Sequence, residues 1–127
     1  MIKQLLVLTT LIVCLTGVGF SQTYNMGNSN ISTCSGTFYD SGGNAGMYSD
    51  NESSVMTFCS SVSGQCVRLT FTSFDLETTF DQMRIYNGPN TTSPLIGTYT
   101  GTTSPGTVTG TSGCLTIAFT SDGSIFQ

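Results

Sequence analysis

The sequence predicts an all-β sandwich, and three observations carry that expectation. Apolar and polar residues alternate with the period of a strand in three separate segments. Clusters of Gly, Pro, Asn, Asp and Ser ("DSGGNAG", "YNGPN", "TTSPG", "TSG") punctuate the chain between them. No long stretch repeats apolar residues at helical spacing, and short strands with frequent Gly-rich turns favour a sandwich over a mixed fold.

The 127 residues leave room for one domain. The chain opens "MIKQLLVLTTLIVCLTGVGFSQTY", in which Lys3 precedes an apolar run from Leu5 to about Val18. Gly19 and Ser21 are small residues at the usual positions before a cleavage site, so residues 1–21 read as a secretory signal peptide and the mature chain starts at Gln22. A membrane anchor is the alternative, but the run is shorter than the roughly 20 apolar residues a span needs. Residues 22–33, "QTYNMGNSNIST", read as an extended, loosely held lead-in.

The strands follow. In "CVRLTFTSF", Val67, Leu69 and Phe71 point one way, and Arg68, Thr70 and Thr72 the other. In "DQMRIYNG", Met83 and Ile85 share a face opposite Arg84 and Tyr86. In "CLTIAFTSD", Leu115, Ile117 and Phe119 alternate with Thr116, Ala118 and Thr120. The Ser/Thr-rich stretch 100–112 reads as a loop with one short strand, because Tyr99, Pro105 and Val108 punctuate it.

Loss of the leader removes Lys3 and Cys14, leaving Arg68 and Arg84 as the only cations against seven carboxylates. Such an acidic chain is repelled by nucleic acid and by anionic membrane surfaces, so cations are its natural partners, and no membrane insertion is expected after cleavage. Cys34, Cys59, Cys66 and Cys114 remain, an even number that reads as two disulfides in an exported domain. None lies in a C-x-x-C pair and the chain has no His, which argues against zinc and redox motifs. Three pairings are open. Cys66 and Cys114 each stand five residues before a Phe at the start of a strand, and this mirrored layout makes Cys66–Cys114 one expected bridge.

Taken in order, "CSGTFYDSGG", "YSDNESS", a second Cys, "VRLTFTSFDLE", "DQMRIYNG", "IGTYTG", "SPGTV" and "GCLTIAFTSD" resemble a CUB domain over residues 34–124. The resemblance implies a jelly-roll-like antiparallel β-sandwich in an extracellular protein. It also implies a bridge between the first two cysteines, here Cys34–Cys59. The family's usual second disulfide closes a loop after the Glu of "FDLE", where this chain has "LETTFD" and no Cys, so Cys66–Cys114 replaces it. CUB domains also continue past the "SD" motif into a last strand. On that comparison residues 34–127 read as a domain lacking its last strand, from a longer protein or a truncated product.

Asp75, Glu77 and Asp81 fall within seven positions of a chain poor in charge. Many CUB domains hold one calcium ion at an end of the sandwich, through the Glu of "FD-x-E", the Asp opening the next strand and the Asp of "SD". By resemblance these are Glu77, Asp81 and Asp122. The physics agrees: calcium takes several hard oxygen ligands in irregular geometry, and converging carboxylates without a cation repel one another and raise their pKa values. A family tyrosine that supports the site matches Tyr48, whose hydroxyl is expected to orient Asp81, and Ser124 or Gly123 is expected to add a backbone carbonyl. The competing reading is solvated charge beside the "YNG" turn. Asp75 reads as bracing its turn rather than ligating, and Asp40 as a turn residue beside glycines. Tyr39, Tyr48, Tyr86 and Tyr99 read as half-buried sandwich residues rather than a sugar-stacking surface. Asn30, Asn51 and Asn90 each begin an N-glycosylation sequon.

The function expected from these readings is a secreted, non-catalytic binding module. Calcium would organise one loop end for an extracellular protein or glycan, with a basic side chain of the partner meeting the acidic end. Two other readings are an accessory domain at the start of a larger secreted hydrolase and a purely structural adhesin or spacer. No catalytic set is present: there is no His and no G-x-S-x-G elbow, and the cysteines read as bridged.

Overall fold

Alternation along the strands decides the layering. A computed structural model describes the backbone of residues 5–9 and all of residues 22–124. In β10 (Cys114–Thr120), Leu115, Ile117 and Phe119 have at most 1% of their surface exposed, and in β7 (Gln82–Tyr86) Met83 and Ile85 are as deeply buried. β10 runs antiparallel between β7 and β5 (Ser53–Ser60), which sets Ile117 against Ile85 and Met56, and Phe119 against Met83. The edges of this sheet are β3 (Ser29–Thr33), beside β5, and β8 (Leu95–Tyr99), beside β7.

The facing sheet has the order β2 (Thr23–Asn25), β4 (Ser35–Tyr39), β1 (Leu5–Thr9), β6 (Arg68–Phe71), β9 (Thr107–Thr109). It supplies Phe38, Leu69, Phe71 and Val108 to the common core. Phe38 packs edge-on against Phe58 of the first sheet, with ring centroids 5.4 Å apart, a favoured aromatic geometry. Among the described residues there are two five-stranded sheets and no helix, so none is long and apolar enough to cross a membrane. The all-β sandwich is thus the architecture observed. Each fully buried Leu or Ile side chain at the centre contributes roughly 1.5–3 kcal/mol.

The lead-in is not loosely held. Thr23–Asn25 pairs parallel with β4 and Ser29–Thr33 parallel with β5, so the segment crosses from one sheet edge to the other. Met26 between them is 6% exposed, its N–H donates to the Tyr39 carbonyl at 2.9 Å, and Asn28 Oδ1 accepts from the Val55 N–H at 2.8 Å. Open edges of β4 and β5 need backbone partners, and a polar extended segment supplies them. The sandwich therefore mixes two parallel edge pairings with its antiparallel ones.

Residues 5–9, expected within a leader, form a strand between β4 and β6, antiparallel to both. An apolar run suits a strand as well as it suits a leader. Cys14, Gly19, Ser21 and the rest of residues 1–4 and 10–21 lie outside the described residues.

Both expected disulfides are corrected. The antiparallel register sets Cys114 opposite Cys59 on adjacent strands, with Cα atoms 4.1 Å apart, and these two are bonded. That excludes Cys34–Cys59 and Cys66–Cys114. Cys66 precedes β6 in the other sheet and is exposed, so the likeness of its surroundings to those of Cys114 does not bring the two together. Cys34 stands half-buried between β3 and β4.

Candidate metal centre

Three chain connections meet at one end of the sandwich. The first runs from β6 to β7. Phe74 and Leu76 are buried in the core, and the Leu76 N–H donates to the Gly101 carbonyl at 2.9 Å, which seats the segment just before Glu77. A tight turn follows, with Thr79 at φ 80°, a conformation uncommon for a β-branched residue. Thr100 braces that turn: its hydroxyl donates to the Glu77 carbonyl at 3.2 Å and accepts from the Thr79 N–H at 3.0 Å. The Asp81 N–H closes the turn onto the Glu77 carbonyl at 3.2 Å. Glu77 and Asp81 are consequently held at the two ends of one short loop.

The second connection runs from β4 to β5. Asp40 Oδ1 accepts from the Gly42 N–H at 2.8 Å and its carbonyl from the Gly43 N–H at 3.1 Å, which is the turn role read for it. Gly42 lies against the backbone of Met47, so close that a Cβ would come within 2.2 Å of the Met47 carbonyl. That approach delivers Tyr48 to the core, where its ring packs edge-on against Phe119 at 5.1 Å. The Tyr48 hydroxyl donates to Asp81 Oδ2 and accepts from the Glu77 N–H at 3.1 Å.

The third is the segment leaving β10. The Asp122 N–H donates to Asp81 Oδ1 at 2.9 Å, and the Asp122 carbonyl accepts from Asn51. Ser124 donates to Asp122 Oδ1 from both its N–H, at 2.9 Å, and its hydroxyl, at 3.2 Å. Ser124 thus orients Asp122 through its N–H and its hydroxyl.

One carboxylate oxygen from each of Glu77, Asp81 and Asp122 lies within 4.8 Å of the others. Asp81 has both oxygens paired and is 1% exposed. Glu77 is 8% exposed, and neither of its carboxylate oxygens has a hydrogen-bond partner. Burial raises the Glu77 pKa above its ordinary value, and the charges of Asp122 and Asp81 raise it further. Burial also raises the Tyr48 phenol, as does its hydrogen bond to Asp81, so Tyr48 stays a donor. A buried acceptor with no donor is costly, and three mutually repelling carboxylates add to that cost. A hard divalent cation satisfies both demands, and all-oxygen donors of this kind match calcium rather than zinc.

Asp75 is exposed and outside the cluster. Tyr39, Tyr86 and Tyr99 are half-buried, and Tyr48 is buried. The sequence reading missed a brace behind the site. Glu52 Oε1 accepts from the Ser41 hydroxyl and from the Ser49 N–H at 2.7 Å, and the Ser121 hydroxyl accepts from the Glu52 N–H at 2.8 Å and donates to the Ser49 carbonyl at 2.7 Å. The "SDNES" run was the available signal, since a Ser/Asp/Asn/Glu cluster at a turn is rich in backbone-capping groups.

The CUB domain family model matches residues 27–127, reaching back into β3's lead. Human (Homo sapiens) cubilin is 38% identical over 78 residues, covering 55% of this chain and 2% of cubilin. Dog (Canis lupus familiaris) cubilin is 38% identical over 66 residues, covering 49% of this chain and 2% of its own. The chain therefore spans a small fraction of these relatives. Among solved structures, the MASP-1 CUB2 domain bound to Ca2+ superposes with a TM-score of 0.52 at 27% identity, covering 61% of this chain and 71% of that one.

Proposed function

The chain belongs to the CUB domain family, and from that premise we propose that it is an extracellular, non-catalytic binding module whose loop end is organised by one calcium ion at Glu77, Asp81 and Asp122. The observation that carries this reading is Glu77: a buried carboxylate, with both oxygens unpartnered, facing two further carboxylates. The Ca2+-bound state of the MASP-1 CUB2 domain supports it.

Calcium supplies positive charge and several oxygen-coordination positions. The chain's own residues do the rest. Tyr48 fixes one oxygen of Asp81, the Asp122 N–H fixes the other, and Ser124 fixes Asp122. Between Glu77 and Asp81 the turn presents Thr78, Thr79 and Phe80 to solvent, with Phe80 59% exposed. That exposed aromatic beside an acidic site suits an extracellular protein or glycan partner, with a basic side chain meeting the charge the ion leaves uncompensated.

Isothermal titration with calcium, and with terbium as a luminescent probe of the same site, tests the reading. One site per chain that is lost in Asp81→Ala is expected. Equal binding by wild type and Asp81→Ala, or none by either, would leave the carboxylates as solvated charge and the domain as a spacer.

A further inference from the structure

Among the described residues only Asn51 and Thr79 combine a side chain with a positive φ, at 58° and 80°. Asn adopts the left-handed region readily, whereas a β-branched residue there is an outlier. Thr79 lies between Glu77 and Asp81, in the turn that sets the spacing of two of the three carboxylates. A backbone in a sparsely populated region persists only when its surroundings over-determine it, and such residues gather at ligand clamps. Whatever holds Thr79 therefore bears on the ion site.

Packing does not hold it. Thr78, Thr79 and Phe80 are all exposed, so the turn buries no side chain of its own. No cysteine lies between Phe74 and Tyr86, so no disulfide closes it. Hydrogen bonds remain, and most of them come from the turn after β8. The Gly101 carbonyl accepts from the Leu76 N–H at 2.9 Å. The Thr100 hydroxyl donates to the Glu77 carbonyl at 3.2 Å and accepts from the Thr79 N–H at 3.0 Å. Gly101 permits this close approach: it sits at φ 59°, and a Cβ there would come 2.9 Å from Thr78 Oγ1. On the other side Tyr48 takes the Glu77 N–H at 3.1 Å. Of these contacts, only that of Thr100 reaches the amide of the strained residue itself.

One hydroxyl thus uses its proton and a lone pair at once, which no apolar isostere reproduces. Without it the Thr79 N–H loses its acceptor, and the backbone is free to relax to negative φ. A change of φ at that residue redirects the chain between Glu77 and Asp81 and parts their carboxylates.

We propose that Thr100 is a latch for the calcium loop: its hydroxyl holds Thr79 in the left-handed region, and only the latched turn presents Glu77 and Asp81 together to the ion. The proposal rests on the calcium reading above and adds to it a positioning residue outside the ligand set. Loop competence then precedes the ion, and the observed affinity is the intrinsic one reduced by the fraction of chains that are latched. Glycine at position 79 needs no latch, because it takes positive φ without steric cost. Dependence on Thr100 should therefore vanish when the strain does.

Calcium titration of the full chain by calorimetry tests the latch, with hydrogen exchange in chelator as a second readout. Thr100→Val is expected to weaken calcium binding about tenfold or more. In this variant the amides of Thr79 and Asp81 should gain exchange rate by a larger factor than those of Leu115 and Ile117, which are buried at the centre of β10. Thr100→Ser keeps the hydroxyl and should bind close to the wild type. Thr100→Val combined with Thr79→Gly should recover most of the loss, a coupling that a general loss of stability would not produce. The latch is overturned if Thr100→Val binds as tightly as wild type, or if the double variant or Thr100→Ser is as weak as Thr100→Val. An equal gain in exchange at all four amides would make Thr100 a general structural residue and overturn it too. A wild type that binds no calcium would overturn the calcium reading itself, and the latch with it.

Discussion

Glu77 concentrates the conflict that makes the site. Its carboxylate is raised above an ordinary value of 4.5 first by burial and then by Asp122 and Asp81. In metal-free protein a raised acid binds its proton more tightly folded than unfolded. Stability is then greatest below 4.5 and falls as pH rises through the window between 4.5 and the raised value. In chelator, the melting temperature should decline across that window, and Glu77→Gln should flatten the decline and melt higher than wild type at neutral pH. The same variant should lose the calcium-dependent shift. A differential scanning series in chelator and in calcium reads both, and a Glu77→Gln that melts below wild type in chelator would show that the carboxylate is not repelled there. Tyr48→Phe probes the neighbouring atom. It strips the Glu77 N–H of its acceptor and Asp81 of a donor, so urea denaturation in chelator should show a loss of about 1–3 kcal/mol. Calcium affinity should fall about 10–100-fold, as for other partners that orient a ligand.

At the scale of elements, β10 holds its sheet together, flanked by β5 and β7 and bonded to β5 through Cys114–Cys59. With the two cysteines 55 positions apart, chain-entropy reasoning gives about 4 kcal/mol to the bridge. Cys59→Ala/Cys114→Ala should therefore lower the denaturation free energy by an amount of that order. Non-reducing peptide maps should recover 59 linked to 114, with exposed Cys66 alkylated in the folded protein. The faces of β6, β7 and β10 were legible because each strand carries large apolar residues at every second place. Thr116 shows where that reading ends. Alternation assigns it to the open face, yet it is wholly buried, because the turn after β7 folds over it and it bonds both Thr57 and the Gly88 carbonyl at 2.8 Å. β2 and β3 were illegible as strands because Ser, Thr and Asn dominate them, and their place depends on the edges of β4 and β5. The disulfide was misread for a related reason: the deciding fact is a register between strands far apart in sequence. Glu77, Asp81 and Asp122 stood out through a family resemblance, whereas the brace from Glu52, in the polar "SDNES" turn, reaches Ser121 across 69 positions, a pairing that no local pattern marks.

Across the whole molecule, the candidate centre sits where the two sheets are joined. The connection 40–52 passes from β4 of one sheet to β5 of the other, 72–81 passes from β6 to β7, and 121–124 leaves β10. The Tyr48–Asp81 and Asp122–Asp81 hydrogen bonds link all three. An ion held by Glu77, Asp81 and Asp122 would add a tie between the 72–81 crossover and the end of the central strand, coupling the sheets at that end. Binding only to the folded chain, calcium at 100 times its dissociation constant stabilises by about 2.7 kcal/mol, which for a domain of this size corresponds to roughly 10–15 °C in melting temperature. That shift should be accompanied by a local signature. On chelation the amides of Glu77, Asp81 and Asp122, each a donor within the site, should exchange faster, while those of Leu115 and Ile117 at the centre of β10 keep the rate set by global unfolding. Hydrogen exchange resolved by residue separates the alternatives. Uniform change across both sheets would make calcium a general stabiliser acting elsewhere, and no change at the three site amides would remove the coupling role assigned to this end.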